Sequence, residues 1–194
     1  MIITKKRKVK LISIKIKNIE LGQCTSYKFL GVMSDKDLSW KPHVEYISNK
    51  ISRSLGGLAI LRHRTSISVL REVYHALINS YVKYGILTLG NACDSVLQPL
   101  KLLLNKVIRV ITFAPYGPVD IKLIYRKLEF LDLNETISLE KGKFMFKRKK
   151  DLLPTTIANY FDFEPQSAHT YNLRSQRNSS YRFRGNTITG KKSI

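Results

Sequence analysis

Apolar and polar residues alternate near the start of the chain, where Ile12, Ile14 and Ile16 are separated by polar residues. This period of two is typical of a half-buried β-strand. A second β-prone run covers residues 27–33. The pattern predicts two or three antiparallel strands within residues 2–33. Because a ribbon of this size is only marginally stable alone, we expect it to pack on another part of the chain.

From Trp40 onward, apolar residues recur at intervals of three and four, which is the period of an α-helix. Ser39 is a candidate N-cap of this first helix, and Gly56–Gly57 either weakens the helix or marks a close helix crossing. Ser66 and Ser95 mark the starts of a second and a third helix. The three apolar stripes are Trp40, Val44, Ile47, Ile51, Leu55 and Leu58; then Leu70, Val73, Tyr74, Leu77, Ile78 and Tyr81; then Leu97, Leu100, Leu104, Val107 and Ile111. Three such helices joined by short links predict a small bundle.

The pattern becomes weaker downstream of the bundle. One apolar series runs from Ile121 to Leu128, and a further helix is predicted from Asn134 to about Lys149. From about Gln166 the chain is rich in Ser, Asn, Arg and Gly, which is typical of disorder. The fold class is therefore α+β, mainly α. We expect a β-hairpin in residues 1–36, a three-helix bundle in 37–114, a helical region in 115–163 and a disordered basic tail in 164–194.

The charge is high and uneven. The 194 residues carry a formal net charge of +20. Residues 1–20 contribute +6 and residues 141–194 contribute +9, so both ends are strongly cationic. Such a chain favours a polyanionic partner. Nucleic acid is preferred over an anionic membrane surface, because the basic stretches do not alternate with an apolar stripe.

Several other classes are excluded. An apolar run of the roughly 18 residues that would cross a membrane does not occur. Two cysteines are too few for a disulfide framework or a zinc site. Two-metal catalysis requires converging carboxylates, and the nearest pair, Asp35 and Asp37, is interpreted as turn and helix-entry chemistry. The four histidines lack metal-ligand spacing. Composition alone thus indicates a basic helical protein that binds nucleic acid.

An ordered series of residues extends this interpretation over most of the chain. The series comprises Tyr27-Lys28-Phe29-Leu30-Gly31-Val32, Asp35, Leu38-Ser39-Trp40, His43, Ile47, Lys50, Ile51, Tyr74, Leu77, Ile78, Tyr84-Gly85, Gly90, Lys106-Val107-Ile108-Arg109-Val110-Ile111, Leu131, Phe144-Met145, Leu153-Pro154 and Tyr171-Asn172-Leu173-Arg174. It resembles the C-terminal part of reverse transcriptases from non-LTR, jockey-like retrotransposons. Two positions depart from that family, which usually has Trp in place of Leu89 and Gln in place of Asn105.

The resemblance implies a role for each segment. In that family the Phe-Leu-Gly hairpin is the primer grip, which follows the catalytic carboxylates of the palm, and the next helices form the thumb. This chain would therefore begin downstream of the paired aspartates. We expect it to be non-catalytic on its own and to need no cofactor, whereas the parent RNA-directed DNA polymerase would use magnesium. The missing palm and fingers would be its partners within a longer product.

A thumb holds duplex through phosphates, which requires Lys and Arg opposite an apolar face. The expected partner is RNA, an RNA–DNA hybrid or DNA. The candidate binding residues are Lys28, Phe29, Leu30, Gly31, Lys50, Arg53, Lys101, Arg109, Lys147, Arg148, Lys149, Lys150 and Arg174. Phe29 is equally compatible with a core position, and a solvated surface remains the alternative for Lys50 and Arg53. Trp40 is interpreted as a core anchor rather than a stacking platform.

Three alternatives stay open. The chain can instead be a free-standing protein that packages RNA or DNA through its cationic ends. The run Lys5-Lys6-Arg7-Lys8 is typical of a nuclear-import signal in isolation, but in the family's register it falls in a palm strand and turn. Localisation, nuclear or cytoplasmic, is therefore undetermined. Similarly, Lys147–Lys150 either complement a helix dipole or contact a nucleic-acid backbone.

Overall fold

The structure is a computed structural model that describes residues 3, 15–16, 19–20, 22–114, 120–158, 161–164 and 180–183. Two compact units are present, residues 1–137 and residues 138–194. In the first unit the elements are β1 (Lys15–Ile16), β2 (Ile19–Glu20), β3 (Ser26–Phe29), β4 (Val32–Asp35), α1 (Lys41–Leu61), α2 (Ile67–Val73), a π-helical segment (Tyr74–Asn79), α3 (Ser80–Lys83), α4 (Ile86–Leu89), α5 (Asp94–Thr112) and α6 (Ile121–Lys127). Helix α7 (Leu133–Lys149) crosses the boundary between the units. The expected class, α+β and mainly α, is confirmed.

The strands form antiparallel pairs, as the alternating pattern predicts. β1 pairs with β2, and β3 pairs with β4 in a register that places Phe29 opposite Val32. The two turn residues, Leu30 and Gly31, both have positive φ angles, 45° and 82°. Positive φ at both positions is the geometry of a type I′ turn, which matches the twist of a hairpin.

The start of α1 differs from the expected Ser39 cap. The helix begins at Lys41, and Trp40 is its N-cap residue in a left-handed conformation with φ 65°. The carboxylate of Asp35 accepts hydrogen bonds from the backbone N–H groups of Ser39, at 3.0 Å, and of Trp40, at 3.1 Å. Asp35 thus supplies the helix-entry chemistry from the end of β4, and the half-buried Trp40 packs against the core as expected.

The apolar stripe predicted for α1 is buried from Val44 to Leu58, and α1 packs against α5 and β4. Gly56 and Gly57 lie on the exposed side, where a Cβ would meet no atom within 4 Å. The alternative of a close helix crossing at these glycines is therefore wrong. The buried stripe of α5 likewise contains all five predicted residues, although the helix begins at Asp94 rather than Ser95.

The second predicted helix contains a π-helical segment. The buried residues occur at every fourth position: Leu70, Tyr74, Ile78 and Val82. Four residues advance an α-helix by a full turn plus about 40°. In a regular α-helix these four side chains would therefore point in progressively different directions. A π-helical turn contains more residues than an α-helical turn, so it keeps the four side chains on one face. Leu77, which the pattern placed inward, is consequently 45% exposed.

The last two helices that contribute to the core of the first unit are α6 and α7. Helix α6 starts after Asp120, whose side chain accepts a hydrogen bond from the Lys122 N–H. Helix α7 starts with a reciprocal capping box, in which Asp132 and Glu135 each accept the other's backbone N–H, at 2.8 and 2.9 Å. Buried residues of these helices join the core formed by α1 to α5.

The second unit contains the end of α7, α8 (Thr155–Ala158), and an antiparallel pair formed by β5 (Phe161–Glu164) and β6 (Ser180–Phe183). Ser180–Phe183 thus form a strand within the segment for which disorder was expected. The other residues of the predicted tail, apart from Glu164, lie outside the described residues. Across the part of the chain that the structure describes, no helix is both long and apolar enough to cross a bilayer.

Candidate nucleic-acid interface

The β3–β4 hairpin directs Lys28 toward α1. Side chains alternate along a strand, so Tyr27 and Phe29 share the opposite face, where both are exposed. The Lys28 ammonium donates a hydrogen bond to the Tyr46 hydroxyl at 3.0 Å and lies 4.7 Å from the centre of the Tyr46 ring. A contact between hairpin and helix is therefore made by a cation and an aromatic ring.

A second ammonium group approaches the same ring. Lys50 follows Tyr46 by four residues, which places both on one face of α1. Its Nζ lies 4.8 Å from the centre of the Tyr46 ring and 4.9 Å from the centre of the Tyr81 ring. Two cations from distant parts of the sequence thus converge on Tyr46, and the second also contacts α3.

These residues line an open groove of about 380 Å³ between the hairpin, α1 and α3. We call it the lysine–tyrosine groove. It is lined by Lys28, Gly31, His43, Tyr46, Ile47, Lys50, Ser80, Tyr81 and Tyr84. At the hairpin end, the Tyr84 hydroxyl donates a hydrogen bond to the Leu30 carbonyl. This contact fixes the turn against the end of α3.

The two lysines lower the pKa of the Tyr46 phenol in the groove. The hydrogen bond with Lys28, then that with Lys50, lowers the pKa of the Tyr46 phenol from 10.0 to about 8. The hydrogen bond with Tyr46 raises the pKa of Lys50 in turn. The Lys50 ammonium group therefore stays charged at neutral pH, while the Tyr46 phenol ionises at a pH within experimental reach.

His43 forms the floor of the groove. It is 1% exposed, and its Nδ1 accepts a hydrogen bond from the Met33 N–H at 3.3 Å. Burial lowers the pKa of His43, so the imidazole is neutral at pH 7. The ring thus supports β4 and is not a charged ligand. Within the described ranges, no three His, Cys, Asp or Glu side chains are grouped so that they could hold a metal ion.

Three curated proteins of Drosophila melanogaster are similar to this chain. The probable RNA-directed DNA polymerase from transposon BS is 28% identical over 134 residues, which are 68% of this chain and 15% of that polymerase. The probable RNA-directed DNA polymerase from transposon X-element is 29% identical over the same shares. The RNA-directed DNA polymerase from mobile element jockey is 26% identical over 69% of this chain and 14% of that enzyme.

The resemblance to non-LTR retrotransposon reverse transcriptases is confirmed. The match to these reverse transcriptases concerns a part of each enzyme, since the chain spans about 15% of the length of the first relatives. A scan against models of protein families finds no match. No solved structure matches either.

Only some of the predicted binding residues meet in the groove. Lys28, Gly31 and Lys50 line it. Phe29 and Leu30 lie at the hairpin tip, 64% and 75% exposed, so the alternative of a core position for Phe29 is wrong within the described chain. The structure thus presents the Phe-Leu-Gly turn at the surface beside the two lysines.

The other candidates lie elsewhere. Arg53 is exposed on α1, one turn beyond Lys50. Lys101 forms an ion pair with Asp94 at 3.2 Å, and Arg109 is half-buried in the last turn of α5. In the second unit, Arg148 pairs with Asp151 at 2.8 Å, whereas the neighbouring residues Lys147, Lys149 and Lys150 are exposed. Arg174 lies outside the described residues.

Tyr46 and Tyr81 were missed by the sequence-based analysis. The signal for Tyr46 was available, because an aromatic residue four positions before a lysine on a helix can contact it. Tyr81 was assigned to the core stripe of its helix and is half-buried beside that core. Its contact with Lys50 depends on how α3 packs against α1, which local spacing does not report.

Proposed function

We propose that this chain comprises the primer-grip hairpin and thumb of a reverse transcriptase and binds primer–template duplex without reading its sequence. The observation that carries the proposal is the convergence of Lys28 and Lys50 on Tyr46, with both ammonium groups within 5 Å of the ring centre. The similarity to three RNA-directed DNA polymerases supports it.

The chemistry of the groove suits the end of a nucleic-acid strand. Two ammonium groups provide the charge that a backbone phosphate requires, and phosphate contacts carry no sequence information. Tyr46, Tyr81 and Tyr84 provide aromatic surface for a sugar or base. The exposed Phe29 and Leu30 flank this surface at the hairpin tip. One groove therefore combines charge with sequence-tolerant stacking.

In this proposal the chain binds but does not polymerise. The paired aspartates and magnesium that catalyse polymerisation would belong to the palm of the parent polymerase. Addition of this chain alone to a primed RNA template with magnesium and deoxynucleotides should therefore give no primer extension. Sustained nucleotide incorporation would contradict the non-catalytic assignment.

Binding can be tested by fluorescence anisotropy with the full chain. The probes are an RNA–DNA hybrid with a recessed 3′ end, the corresponding blunt hybrid and a single strand. We expect the recessed end to bind most tightly. The double variant Lys28→Ala/Lys50→Ala should weaken binding and reduce the slope of log affinity against log salt by about two. Lys41→Ala, on an exposed position of the same helix, is the matched control.

The alternative packaging function predicts a different result. A packaging protein would bind the blunt hybrid, the recessed hybrid and the single strand with similar affinity. Its affinity would depend on the total charge, so Lys41→Ala would change it as much as either groove substitution. Either result would reject the primer-grip and thumb assignment.

A further inference from the structure

A cavity of about 150 Å³ lies between α5, α6 and the start of α7. We call it the α5–α7 cavity. It is separate from the lysine–tyrosine groove, because the two have no lining residue in common. Its lining combines three apolar side chains, Leu104, Ile121 and Leu133, with polar side chains that include Asn105, Lys122 and Asp132.

The volume of the α5–α7 cavity limits the ligand to one ring. A cavity of about this volume accommodates a molecule of the size of benzene, whereas the two fused rings of a purine need more room. Pockets for small molecules are typically apolar, with a few polar groups that fix the orientation of the ligand. The lining of this cavity is of that kind.

Asn105 provides a hydrogen-bond donor at the cavity. The Tyr125 hydroxyl donates to Asn105 Oδ1 at 3.3 Å, and Tyr125 is only 5% exposed. Burial raises the pKa of Tyr125, so the hydroxyl stays protonated and keeps the amide in this orientation. Asn105 Nδ2 has no hydrogen-bond partner among the described residues. The donor end of the amide is therefore available to a ligand.

Asp132 provides an acceptor at the same cavity. Its Oδ1 accepts the Glu135 N–H at 2.8 Å, and its Oδ2 accepts no hydrogen bond from the part of the chain that the structure describes. One donor and one acceptor are what the edge of a pyrimidine base requires. Uracil presents a ring N–H beside a carbonyl oxygen, and cytosine presents an amino group beside a ring nitrogen.

The charge at the cavity favours an anionic ligand. Lys122 is exposed and forms no ion pair within the described ranges, whereas Lys101 pairs with Asp94 at 3.2 Å. The lining residues include two lysines and one aspartate, so their net charge is positive. A lysine ammonium group acts as a point charge that binds phosphate. A base attached to a phosphate thus fits the cavity better than a free base.

We propose that the α5–α7 cavity is a site for one pyrimidine nucleotide, either free or within a single strand. Asn105 Nδ2 donates to an acceptor of the base, the Asp132 carboxylate accepts from its N–H or amino group, and Lys122 contacts the phosphate. This site goes beyond the proposed function, in which a backbone is bound without reading of its sequence.

Asn105→Gln is the decisive substitution. Glutamine, the usual residue at this position in the polymerases that the chain resembles, keeps the amide but adds one methylene group, which fills part of the cavity and moves the donor. An extra methylene group in a pocket should weaken binding of a pyrimidine nucleotide roughly tenfold or more. Asn49→Gln, at an exposed position of α1, makes the same chemical change away from the cavity and is the matched control.

Binding can be measured by isothermal titration calorimetry with the full chain. The probes are cytidine, uridine and adenosine monophosphates and the nucleoside cytidine. Both pyrimidine nucleotides should bind more tightly than the adenosine nucleotide. Lys122→Ala should weaken binding of the pyrimidine nucleotides roughly tenfold and leave binding of cytidine unchanged. Lys127→Ala, at an exposed position of the same helix outside the cavity, is its control.

The source of the nucleotide can be distinguished with short single strands. If the cavity takes a base within a strand, Asn105→Gln should weaken binding of oligouridine and leave binding of oligoadenosine unchanged. If it takes a free nucleotide, only binding of the mononucleotides should weaken. In both cases Lys28→Ala/Lys50→Ala should leave the mononucleotide affinities unchanged, because these lysines line the other site.

Three results would overturn the proposal. They are equal affinities for pyrimidine and adenosine nucleotides, unchanged pyrimidine binding in Asn105→Gln, and no binding of any mononucleotide by the wild-type chain. Each would leave the primer-grip and thumb assignment standing. Thermal unfolding checks that Asn105→Gln folds. If it does not fold, the comparison of nucleotide with nucleoside in Lys122→Ala decides, and an equal effect on both would reject the phosphate contact.

Discussion

The ring of Tyr84 lies directly over Gly31. A Cβ at Gly31 would be 3.0 Å from Tyr84 Cε1 and 3.2 Å from its hydroxyl oxygen, and the φ angle of Gly31 is 82°. The same hydroxyl donates a hydrogen bond to the carbonyl of Leu30. The Tyr84 side chain, which is distant in sequence, therefore fixes the turn of the β3–β4 hairpin. Glycine is required at position 31 because of the positive φ angle and because of the close Tyr84 ring.

Gly31→Ala should destabilise the fold. A left-handed conformation costs a non-glycine residue about 1–2 kcal/mol, and the added methyl group must also displace the Tyr84 ring. The measurement is the free energy of unfolding in urea. Gly22→Ala is the control, because a Cβ at Gly22 meets nothing within 4 Å. An equal effect of both substitutions would contradict the contact between Gly31 and Tyr84.

Asp35→Ala should lower the stability by about 1–2 kcal/mol, because Asp35 accepts the N–H groups of Ser39 and Trp40 before α1. Burial raises the pKa of Asp35, but the hydrogen bonds from Ser39 and Trp40 outweigh it, so the pKa lies below 3.8. The contribution of Asp35 is therefore present above this value and is lost as the pH falls through the folded pKa.

The measurement for Asp35 is urea unfolding of wild type and variant at neutral and acidic pH. The difference between the two proteins should be largest at neutral pH and should shrink in strong acid. Asp37→Ala, at an exposed position of the same turn, is the control and should have little effect. A pH-independent difference would show that the carboxylate charge of Asp35 does not matter.

Binding of nucleic acid should weaken as the pH rises through about 8. The pKa of Tyr46 is about 8 because of its hydrogen bonds with Lys28 and then Lys50. Ionisation places a negative charge between the two lysines and repels phosphate. Anisotropy titrations between neutral and alkaline pH should show this loss for the wild type and a flatter profile for Tyr46→Phe.

Binding of duplex should in turn change the pKa of Tyr46. Bound phosphate disfavours the phenolate, so the pKa of Tyr46 should rise when duplex is added. The difference between the ultraviolet titrations of wild type and Tyr46→Phe isolates this one phenol. If duplex does not move the pKa, phosphate does not occupy the lysine–tyrosine groove.

Protonation of His43 should destabilise the fold. Burial lowers its pKa below 6.5, so the unfolded chain binds the proton first, and stability falls as the pH drops below that value. The proton would also displace the hydrogen bond from the Met33 N–H. Thermal unfolding at pH values from neutral to mildly acidic should show a smaller loss for His43→Gln. His63→Gln, at an exposed position, is the control.

The sequence predicted the helices better than the site. The apolar stripes of α1 and α5 are long and regular, so burial follows directly from their period. The cap of α1 was placed at Ser39 because a hydroxyl residue before an apolar stripe is the usual signal. The actual ligand of the helix entrance, Asp35, comes from the preceding strand, and nothing in the spacing indicates that the chain bends at Trp40 to allow this.

The groove could be predicted only in part. Lys28, Gly31 and Lys50 were identified, because the resemblance pointed to the hairpin and the amphipathic pattern left Lys50 off the apolar stripe of α1. Tyr81 is separated from Lys50 by 31 positions along the chain, so their contact is a product of packing between helices. Leu77 was placed inward because a regular α-helix was assumed where the chain forms a π segment.

The π-helical segment, Tyr74–Asn79, has a consequence for the groove. It holds one residue more than a regular turn would need, and this surplus sets the rotational phase of everything that follows in the same helix. If the same residues formed a regular α-helix instead, the surplus residue would turn Tyr81 by about 100° away from Lys50. The π turn thus decides whether the two helices share one aromatic wall.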